Sequence, residues 1–405
     1  MKYVVAFVSF ALLGCAAILA QTHSGNVSKV SNKGDTQQTA GAATTQIAPN
    51  EVSASVEKGA KWLASVQGAD GGWGQDGGSA SNIRQSENLE SKGNDVANTA
   101  VAALALLRAG NQYRPNVERA VDFILKKIEA SPANGLSITD VNQTQIQRKL
   151  GPYIDTFLAS MLLAQVDGTL AGANKARVRN GLEKCIAKIE RNQMTDGSWN
   201  IAGGWAPVLG TSMASRSLYE ASQKGVKVDQ KVLAQAENYA ANSQRDQVTV
   251  KSGGVVSEMA VRELPINGRG VKSMARMETA DAALPAAAGV DLYQSAQALE
   301  QLSRTAESRE KNAVAIGAIN TKLSDANFVA GFGSIGGEEF FSYLNISDGL
   351  KRTGGKEWRD WHSKITQKIL KLQNSDGTWA GHHCITGRVA VTSAAILNLT
   401  SDREN

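Results

Sequence analysis

Two of the four histidines and one of the three cysteines stand next to one another as His382, His383 and Cys384. A thiol beside an imidazole has the residue types of a nucleophile with its general base, so Cys384 and His383 are candidate catalytic residues. In an extended turn, His382 and Cys384 would face the same side and could offer two ligands to a metal ion such as zinc. A buried thiol with two hydrogen-bonded histidines is the third interpretation.

Two acidic residues and an arginine complete the candidate site. Glu338 and Glu339 open a predicted helix after two glycines. One carboxylate is enough to stabilise the positive end of a helix, so Glu339 is a candidate acid–base residue and Glu338 a candidate binding residue. Arg388 lies in the first turn of another predicted helix, where its charge opposes the dipole. It needs a partner such as Glu339, Asp155 or an acidic ligand, and is a further candidate catalytic residue.

The elements that position these residues follow from a repeat. Three segments align without gaps, each with a lysine, a glutamine, an Asp-Gly pair and a tryptophan at the same spacing: "KGAKWLASVQGADGGW" (58–73), "KCIAKIERNQMTDGSW" (184–199) and "KITQKILKLQNSDGTW" (364–379). Apolar residues recur at helical spacing before the Asp-Gly pair, which ends the helix in a turn. The tryptophan then folds back as an apolar plug, and we expect the glutamine to hold the turn.

This pattern resembles the QW repeat of the squalene-cyclase and protein-prenyltransferase superfamily. The first copy is the most similar, since it has the aromatic Trp62 where the others have Lys188 and Lys368. The resemblance implies an all-α fold, an α/α toroid with outer and inner helices around a central cavity. The tryptophans are separated by whole multiples of about sixty residues, which predicts six outer and six inner helices.

Helical periodicity places these elements along the chain. Outer helices are predicted at 52–67, 115–130, 175–193, 229–243, 306–323 and 357–373, and inner helices at 94–109, 153–166, 210–224, 290–305, 338–352 and 386–399. Residues 244–289 interrupt the period and are predicted to be a long insertion of the kind that is usually functional or disordered. Inner-helix starts would converge on the cavity, so Tyr153, Asp155 and Tyr343 join Glu338 as candidate binding residues.

The N-terminus predicts export from a bacterial cell. Residues 1–20 have one early lysine and an apolar run, which is typical of a signal peptide. Cleavage before Gln21 and lipoprotein processing at Cys15 both fit and stay open. Residues 21–50 are polar and aperiodic, which predicts a disordered linker before a toroid domain at 51–405. We expect a periplasmic or cell-surface protein without a membrane span once it is processed.

Composition and missing motifs exclude several classes of partner and site. The formal net charge of +5 is spread along the chain without a Lys/Arg run, which argues against nucleic acid. Cys185 and Cys384 are too few for a disulfide framework. No catalytic motif of the resembling families is present: the chain lacks Asp-x-Asp-Asp, Asp-x-Cys, Asp-Asp-x-x-Asp and Cys-Gly-Glu-Gln. The resemblance therefore concerns architecture and transfers no catalytic residue.

Three functions stay open. The first is a divergent transferase- or cyclase-like enzyme with an isoprenoid or other apolar ligand in its cavity, and zinc is the cofactor that the histidine and cysteine donors suit. The second is a non-catalytic binding or scaffold toroid. The third is a carbohydrate-active toroid. An aromatic-lined cavity favours the first, a filled centre the second, and two carboxylates about 5–10 Å apart in an open cleft the third.

Overall fold

The computed structural model describes residues 49–77, 93–169, 174–199, 207–252, 280–333 and 335–403. At 174, 207, 243–252 and 280–288 it describes the backbone alone. The predicted signal peptide, the lipoprotein cysteine Cys15 and nearly all of the predicted linker lie outside these residues. Their interpretation stays a prediction. The chain from Gln46 onward forms one compact unit.

The described residues form fifteen α-helices, and their only extended pairings are two isolated bridges. The inner helices are α2 (Val96–Ala109), α5 (Ile154–Val166), α7 (Pro207–Gln223), α9 (Ala280–Leu302), α13 (Gly337–Thr353) and α15 (Arg388–Leu399). The outer helices are α1 (Pro49–Ser65), α3 (Arg114–Ala130), α6 (Asn174–Arg191), α8 (Gln230–Ser252), the pair α10 (Ala306–Lys311) and α11 (Ala313–Lys322), and α14 (Gly355–Lys371). Connections contain the short helices α4 (Gln145–Leu150) and α12 (Ala326–Ala330). None of the helices searched is long and apolar enough to cross a membrane.

The inner helices form a closed ring. Each packs against the next inner helix along the chain, and α15 packs against α2. Most outer helices cover the seam between two inner ones: α1 lies on α15 and α2, α3 on α2 and α5, α6 on α5 and α7, α8 on α7 and α9, and α14 on α13 and α15. The predicted α/α toroid is confirmed.

Hydrophobic patterning explains which helices lie inside. Every residue from Val96 to Leu106 in α2 and from Val389 to Leu399 in α15 is buried, and these stretches are composed of small, apolar and uncharged residues. Such helices can be covered on all sides. The outer helix α14 instead buries Trp361, Ile365 and Ile369 along one stripe and exposes charged residues elsewhere.

The three QW repeats share one set of hydrogen bonds around the glutamine. Its side-chain amide donates both to the turn glycine and to a backbone carbonyl of the next outer helix in the ring. The pairs are Gln67 with Gly71 and Asn116, Gln193 with Gly197 and Val232, and Gln373 with Gly377 and Ser55, at 2.8–3.1 Å. The predicted position of each glutamine beside its own turn is confirmed. The same amide also fastens neighbouring repeats together.

The tryptophans are equally regular. Each indole Nε1 donates at 2.8 Å to a carbonyl of its own outer helix, and each backbone N–H donates to a threonine hydroxyl of the following inner helix. The acceptors are Leu63 and Thr99 for Trp73, Ile189 and Thr211 for Trp199, and Ile369 and Thr392 for Trp379. Because the indole polar group is satisfied, the ring can be buried between the two layers.

Two boundaries differ from the prediction. The fifth outer helix is broken at Asn312, whose side chain donates to the Ser308 carbonyl at 2.8 Å and ends α10. The predicted insertion at 244–289 is shorter, because α8 continues to Ser252 and α9 begins at Ala280. The alanine-rich start of α9 favours helix strongly. The remaining residues, 253–279, lie outside the described part of the chain.

Side chains cross part of the ring centre. Asn345 on α13 donates to the Ser212 hydroxyl on α7 at 3.1 Å, and these helices are separated in the ring by α9. Ser347 donates at 3.4 Å to Asn398 of α15, the neighbouring inner helix, so this second bond joins neighbours and does not cross the centre. Small residues let the inner helices approach one another closely enough for these contacts. This part of the centre is therefore occupied by the protein itself.

Candidate functional site

The turn before α15 lies directly against the start of α13. His382 N donates to the Ile335 carbonyl at 2.7 Å, and Gly337 N donates to the Ile385 carbonyl at 2.9 Å. A Cβ atom at Gly336 would lie 2.7 Å from the His383 carbonyl oxygen, so only glycine permits this approach. The two elements that carry the candidate residues are thus held together by backbone contacts.

Glu339 is fully buried and accepts hydrogen bonds on both oxygens. Its Oε1 accepts from Tyr293 Oη at 3.2 Å and from Phe332 N at 3.3 Å, and its Oε2 accepts from Gly336 N at 2.8 Å. His383 Nε2 lies 3.5 Å from the same Oε2. Burial raises the pKa of Glu339, and the His383 charge opposes this. Glu339 therefore caps α13 and orients His383.

Glu338 is less completely satisfied. Its Oε2 accepts from Ile385 N at 3.1 Å, whereas its buried Oε1 has no hydrogen-bond partner among the described residues. Burial raises the pKa of Glu338 to about 7. Buried polar atoms are nearly always hydrogen-bonded in proteins, so this carboxyl oxygen is an exception that a water molecule, an ion or a ligand would satisfy.

Three different donors converge beside this oxygen. One ligand atom each from Glu338, His383 and Cys384 lies within 4.8 Å of the other two. Burial and the nearby carboxylates of Glu338 and Glu339 raise the pKa of the Cys384 thiol to about 12. A carboxylate oxygen, an imidazole nitrogen and a thiol sulfur form a donor set that fits zinc.

The histidine in this set is not the expected one. An extended turn would pair His382 with Cys384, but Cys384 has a φ of 54°, in the left-handed region that residues other than glycine rarely adopt. The backbone therefore turns at Cys384, His383 shares the cluster with it, and His382 is exposed. Left-handed conformations of larger residues concentrate at functional sites.

Arg388 has carboxylate partners other than the two expected. Its backbone N–H donates to Asp76 Oδ1 at 3.0 Å, and its Nε lies 3.4 Å from the same oxygen. Its Nη1 lies 3.5 Å from Asp376 Oδ2, and its guanidinium stacks 5.2 Å above the Trp62 ring. These contacts compensate the charge at the start of α15 and lock the first repeat to the last.

Asp155 is a buried cap. Its Oδ1 accepts from Ala97 N at 3.1 Å, and its Oδ2 accepts from Gln147 Nε2 at 2.7 Å. Asp95, the residue before α2, accepts from Asn98 N at 2.8 Å. Burial raises the pKa of Asp155 to about 6, and burial together with the Asp155 charge raises that of Asp95 to about 7. Two carboxyl groups therefore share the start of α2.

The two candidate tyrosines have different settings. Tyr343 is fully buried, and its hydroxyl donates to the Val329 carbonyl at 2.7 Å and accepts from Lys368 at 2.9 Å. It therefore joins α13 to α12 and to the outer helix α14. Tyr153 immediately precedes α5 and is half-buried.

Sequence reasoning missed Phe332 and Gln145, which border the cluster. Phe332 stands edge-on to His383 with ring centroids 5.9 Å apart, and Tyr293 lies 5.4 Å from Phe332. Gln145 on α4 accepts from Thr386 N at 3.0 Å and holds the turn from the other side. Phe332 lies between two glycines shortly before the glutamate pair, and this is the one sequence feature that could have pointed to it.

Comparisons with known proteins agree with this architecture. Residues 36–135 match the family model of the squalene-hopene cyclase C-terminal domain. A squalene–hopene cyclase of Bradyrhizobium diazoefficiens is 39% identical over 70 residues, which is 17% of this chain and 10% of that protein. The chain thus matches about a tenth of that relative's length.

Solved structures of one enzyme are also similar. The type II terpene cyclase MstE from Scytonema aligns with 87% of this chain and 98% of its own at 12% identity, with a TM-score of 0.35. A variant in complex with geranylgeranyl dihydroxybenzoate aligns at 12% identity over 87% and 97%, with a TM-score of 0.34.

The QW repeats, the closed double ring and the family match agree with one another. They support the resemblance to the superfamily of α/α toroids that includes the squalene cyclases and the protein prenyltransferases.

Proposed function

We propose that the protein holds a divalent metal ion, zinc by its donors, between Glu338, His383 and Cys384, and binds an isoprenoid or other apolar ligand beside it. The observation that carries this proposal is the convergence of these three donors within 4.8 Å. They come from two elements, the start of α13 and the turn before α15, that pack through backbone hydrogen bonds.

The surroundings support a metal ion. Catalytic zinc sites commonly have three protein ligands and keep a fourth position open. Metal-binding histidines usually contact a carboxylate through their second ring nitrogen, which fixes the ring. Because His383 Nε2 lies 3.5 Å from Glu339, Nδ1 is the nitrogen that would bind the ion in this proposal. A zinc ion in such a site supplies Lewis-acid polarisation of a substrate oxygen. The buried Glu338 would contribute its carboxylate, and the oxygen that now has no hydrogen-bond partner would gain the metal ion as its partner.

The neighbouring residues favour an apolar ligand. Phe332 and Tyr293 stack edge-on next to His383, and His383 and Cys384 are half-buried, so a ligand can reach them. The curated relative is a squalene–hopene cyclase, and squalene is an isoprenoid hydrocarbon. In this proposal the ligand lies at the mouth formed by the inner-helix starts, since side chains cross part of the ring centre.

Metal analysis tests the first half of the proposal. Protein equilibrated with zinc and desalted should retain it stoichiometrically by elemental mass spectrometry, and His383→Ala and Cys384→Ser should each lower the affinity by about tenfold or more. The matched controls are His382→Ala, an exposed neighbour, and Cys185→Ala in an outer helix. Equal zinc retention by His383→Ala and His382→Ala, with both folded by circular dichroism, would refute the site.

Ligand retention tests the second half. Zinc-loaded protein is incubated with squalene or geranylgeraniol, passed through gel filtration and extracted for mass spectrometry. We expect the lipid to co-elute with the wild type and with the exposed-surface variant Val314→Ser, and to be lost with Phe332→Ala. Recovery of an isomer of the lipid would identify a cyclase-like enzyme. Absence of both lipids from every sample contradicts the apolar-ligand proposal.

A non-catalytic binding toroid is the second candidate. The Asn345–Ser212 contact, which fills part of the centre, favours it. Retention of unchanged lipid, with no product over prolonged incubation, would decide for this candidate.

We also propose that the protein is exported, on the basis of the apolar run within residues 1–20. N-terminal sequencing of the native protein should begin at Gln21, or at a lipid-modified Cys15. A product that retains Met1 would refute export.

A further inference from the structure

A cavity of about 300 Å³ lies at the other end of the ring, where the inner helices finish. Five basic side chains line it: Arg108, Arg216, Lys224, Lys351 and Arg352. They come from the ends of α2, α7 and α13. Since α13 also carries Glu338 in its first turn, the cavity and the proposed metal site are separated by roughly 20 Å of helix. We call this feature the basic cavity.

The carboxylates near the basic cavity are already engaged. Arg216 pairs with Glu220 at 2.6 Å and also with Asp348, the two acidic residues of the lining. Arg352 pairs at 2.9 Å with Glu300, which lies outside the lining. Five basic and two acidic side chains therefore line the basic cavity.

Backbone carbonyls also accept hydrogen bonds from Arg108 and Lys351. Arg108 donates through Nη1 to the Thr400 carbonyl at 3.3 Å, and Lys351 donates to the Arg403 carbonyl at 2.7 Å. A guanidinium has five N–H donors, and the described hydrogen bonds of Arg108 use one of them. Helix C-termini attract cations through their dipole, which explains why basic residues collect here. It does not satisfy the remaining donors.

We propose that the basic cavity binds a small oxyanion of the phosphate class, either free or as the head of a phosphorylated small molecule. Arg108 offers the planar, multidentate donor set that suits phosphate oxygens, and Lys351 and Lys224 add charge at its rim. Arg216 and Arg352, held by Glu220, Asp348 and Glu300, form the fixed wall. The site is independent of the metal site and of the apolar ligand.

Calorimetry with inorganic phosphate tests this on the full chain. The wild type should bind phosphate, and Arg108→Gln should weaken binding by about tenfold, the loss expected for a charge-assisted contact. Arg359→Gln, an exposed arginine of the outer helix α14, is the matched control and should bind like the wild type. The rim variant Lys224→Gln should weaken binding less than Arg108→Gln does.

Two results would overturn the proposal. One is equal phosphate affinity in the wild type and in folded Arg108→Gln and Lys224→Gln; the rim variant keeps the test valid if Arg108→Gln unfolds. The other is adsorption to phosphatidylglycerol vesicles without any binding of free phosphate, which would mean that the cluster recognises a membrane surface. Zinc retention is unaffected by either outcome, so a failure here is separate from a failure of the proposed function.

Discussion

Gln373 and Ser55 form two mutual hydrogen bonds although 318 residues separate them in the chain. The Gln373 amide donates to the Ser55 carbonyl at 2.9 Å, and the Ser55 hydroxyl donates back to Gln373 Oε1 at 2.8 Å. Gln67 and Gln193 make the first of these bonds to the next outer helix in sequence. At Gln373 the next helix is the first one, so the repeat that links neighbours elsewhere closes the ring here.

Gln373→Ala should lower the free energy of unfolding by about 2–3 kcal/mol. The change removes two donated bonds and one accepted bond, each of which contributes about 1 kcal/mol. Ser55→Ala removes only the hydroxyl bond and should lower it by about 1 kcal/mol. Urea unfolding measures both variants. A loss for Gln373→Ala no larger than that for Ser55→Ala would contradict the closing role.

Gly197→Ala should destabilise the protein more than Gly225→Ala. Both glycines have left-handed φ angles, 90° and 74°, so both substitutions carry about 1–2 kcal/mol of backbone strain. A Cβ at Gly197 would also lie 2.3 Å from the Gln235 carbonyl oxygen, whereas nothing lies within 4 Å of one at Gly225. Overpacking adds about 1–3 kcal/mol. Equal thermal midpoints for the two variants would exclude the close contact between the turn and α8.

Stability should fall as pH rises from about 4 to 7, in part through Asp95. Its pKa is raised to about 7 from the ordinary 3.8, so the folded state holds a proton that the unfolded state releases. The stabilisation is complete below pH 4 and is lost as pH rises through 7. Asp95→Asn should flatten this dependence, measured by urea unfolding across the range.

The same variant should exceed the wild type in stability above pH 7. Asparagine is a good helix cap and carries no charge to desolvate. A flip of the Asn98 amide, whose Nδ2 donates to Asp95 Oδ2 at 2.8 Å in the wild type, would let its Oδ1 accept from the new amide. An unchanged pH profile for Asp95→Asn would mean that Asp95 is ionised throughout this range.

Glu300→Gln should lower the free energy of unfolding by about 3–5 kcal/mol, because it removes a buried counter-charge from two half-buried arginines. Glu300 is fully buried, and Arg304 and Arg352 lie 2.5 and 2.9 Å from its oxygens. Burial alone would raise the pKa of Glu300, but these two charges lower it to about 2. Glu57→Gln, which removes an exposed pair with Lys61, should change the stability by less than about 1 kcal/mol.

The fold could be predicted from the sequence because the residues that indicate it lie close together in the chain. The Asp-Gly turn, the glutamine and the tryptophan act within sixteen residues of one another, from Lys364 to Trp379 in the last copy. Their repetition carried the resemblance to the QW-repeat superfamily, which implied the double ring, and the spacing of about sixty residues supported it. The break at Asn312 and the extension of α8 to Ser252 were missed, since propensity competes with periodicity at such ends.

The candidate site could be predicted only in part, because its geometry depends on segments that are distant in sequence or irregular in structure. Proximity of Glu338 to the turn before α15 follows from the ring order. His383 lies in the donor cluster instead of His382 because the backbone at Cys384 is left-handed. No sequence pattern predicts that conformation for a residue other than glycine. Asp76, the partner of Arg388, lies 312 residues away in a non-periodic loop.

Closure of the ring through Gln373 and Ser55 also constrains the order of folding. In an open array of repeats, structure can propagate from any unit, and terminal caps cover the two exposed ends. Here α1 is covered by α15 and α14, which are synthesised last. Until then α1 packs against α2 alone, and contacts of such long sequence separation form slowly. A nascent chain of this protein therefore leaves part of the apolar face of α1 uncovered until its final helix is available.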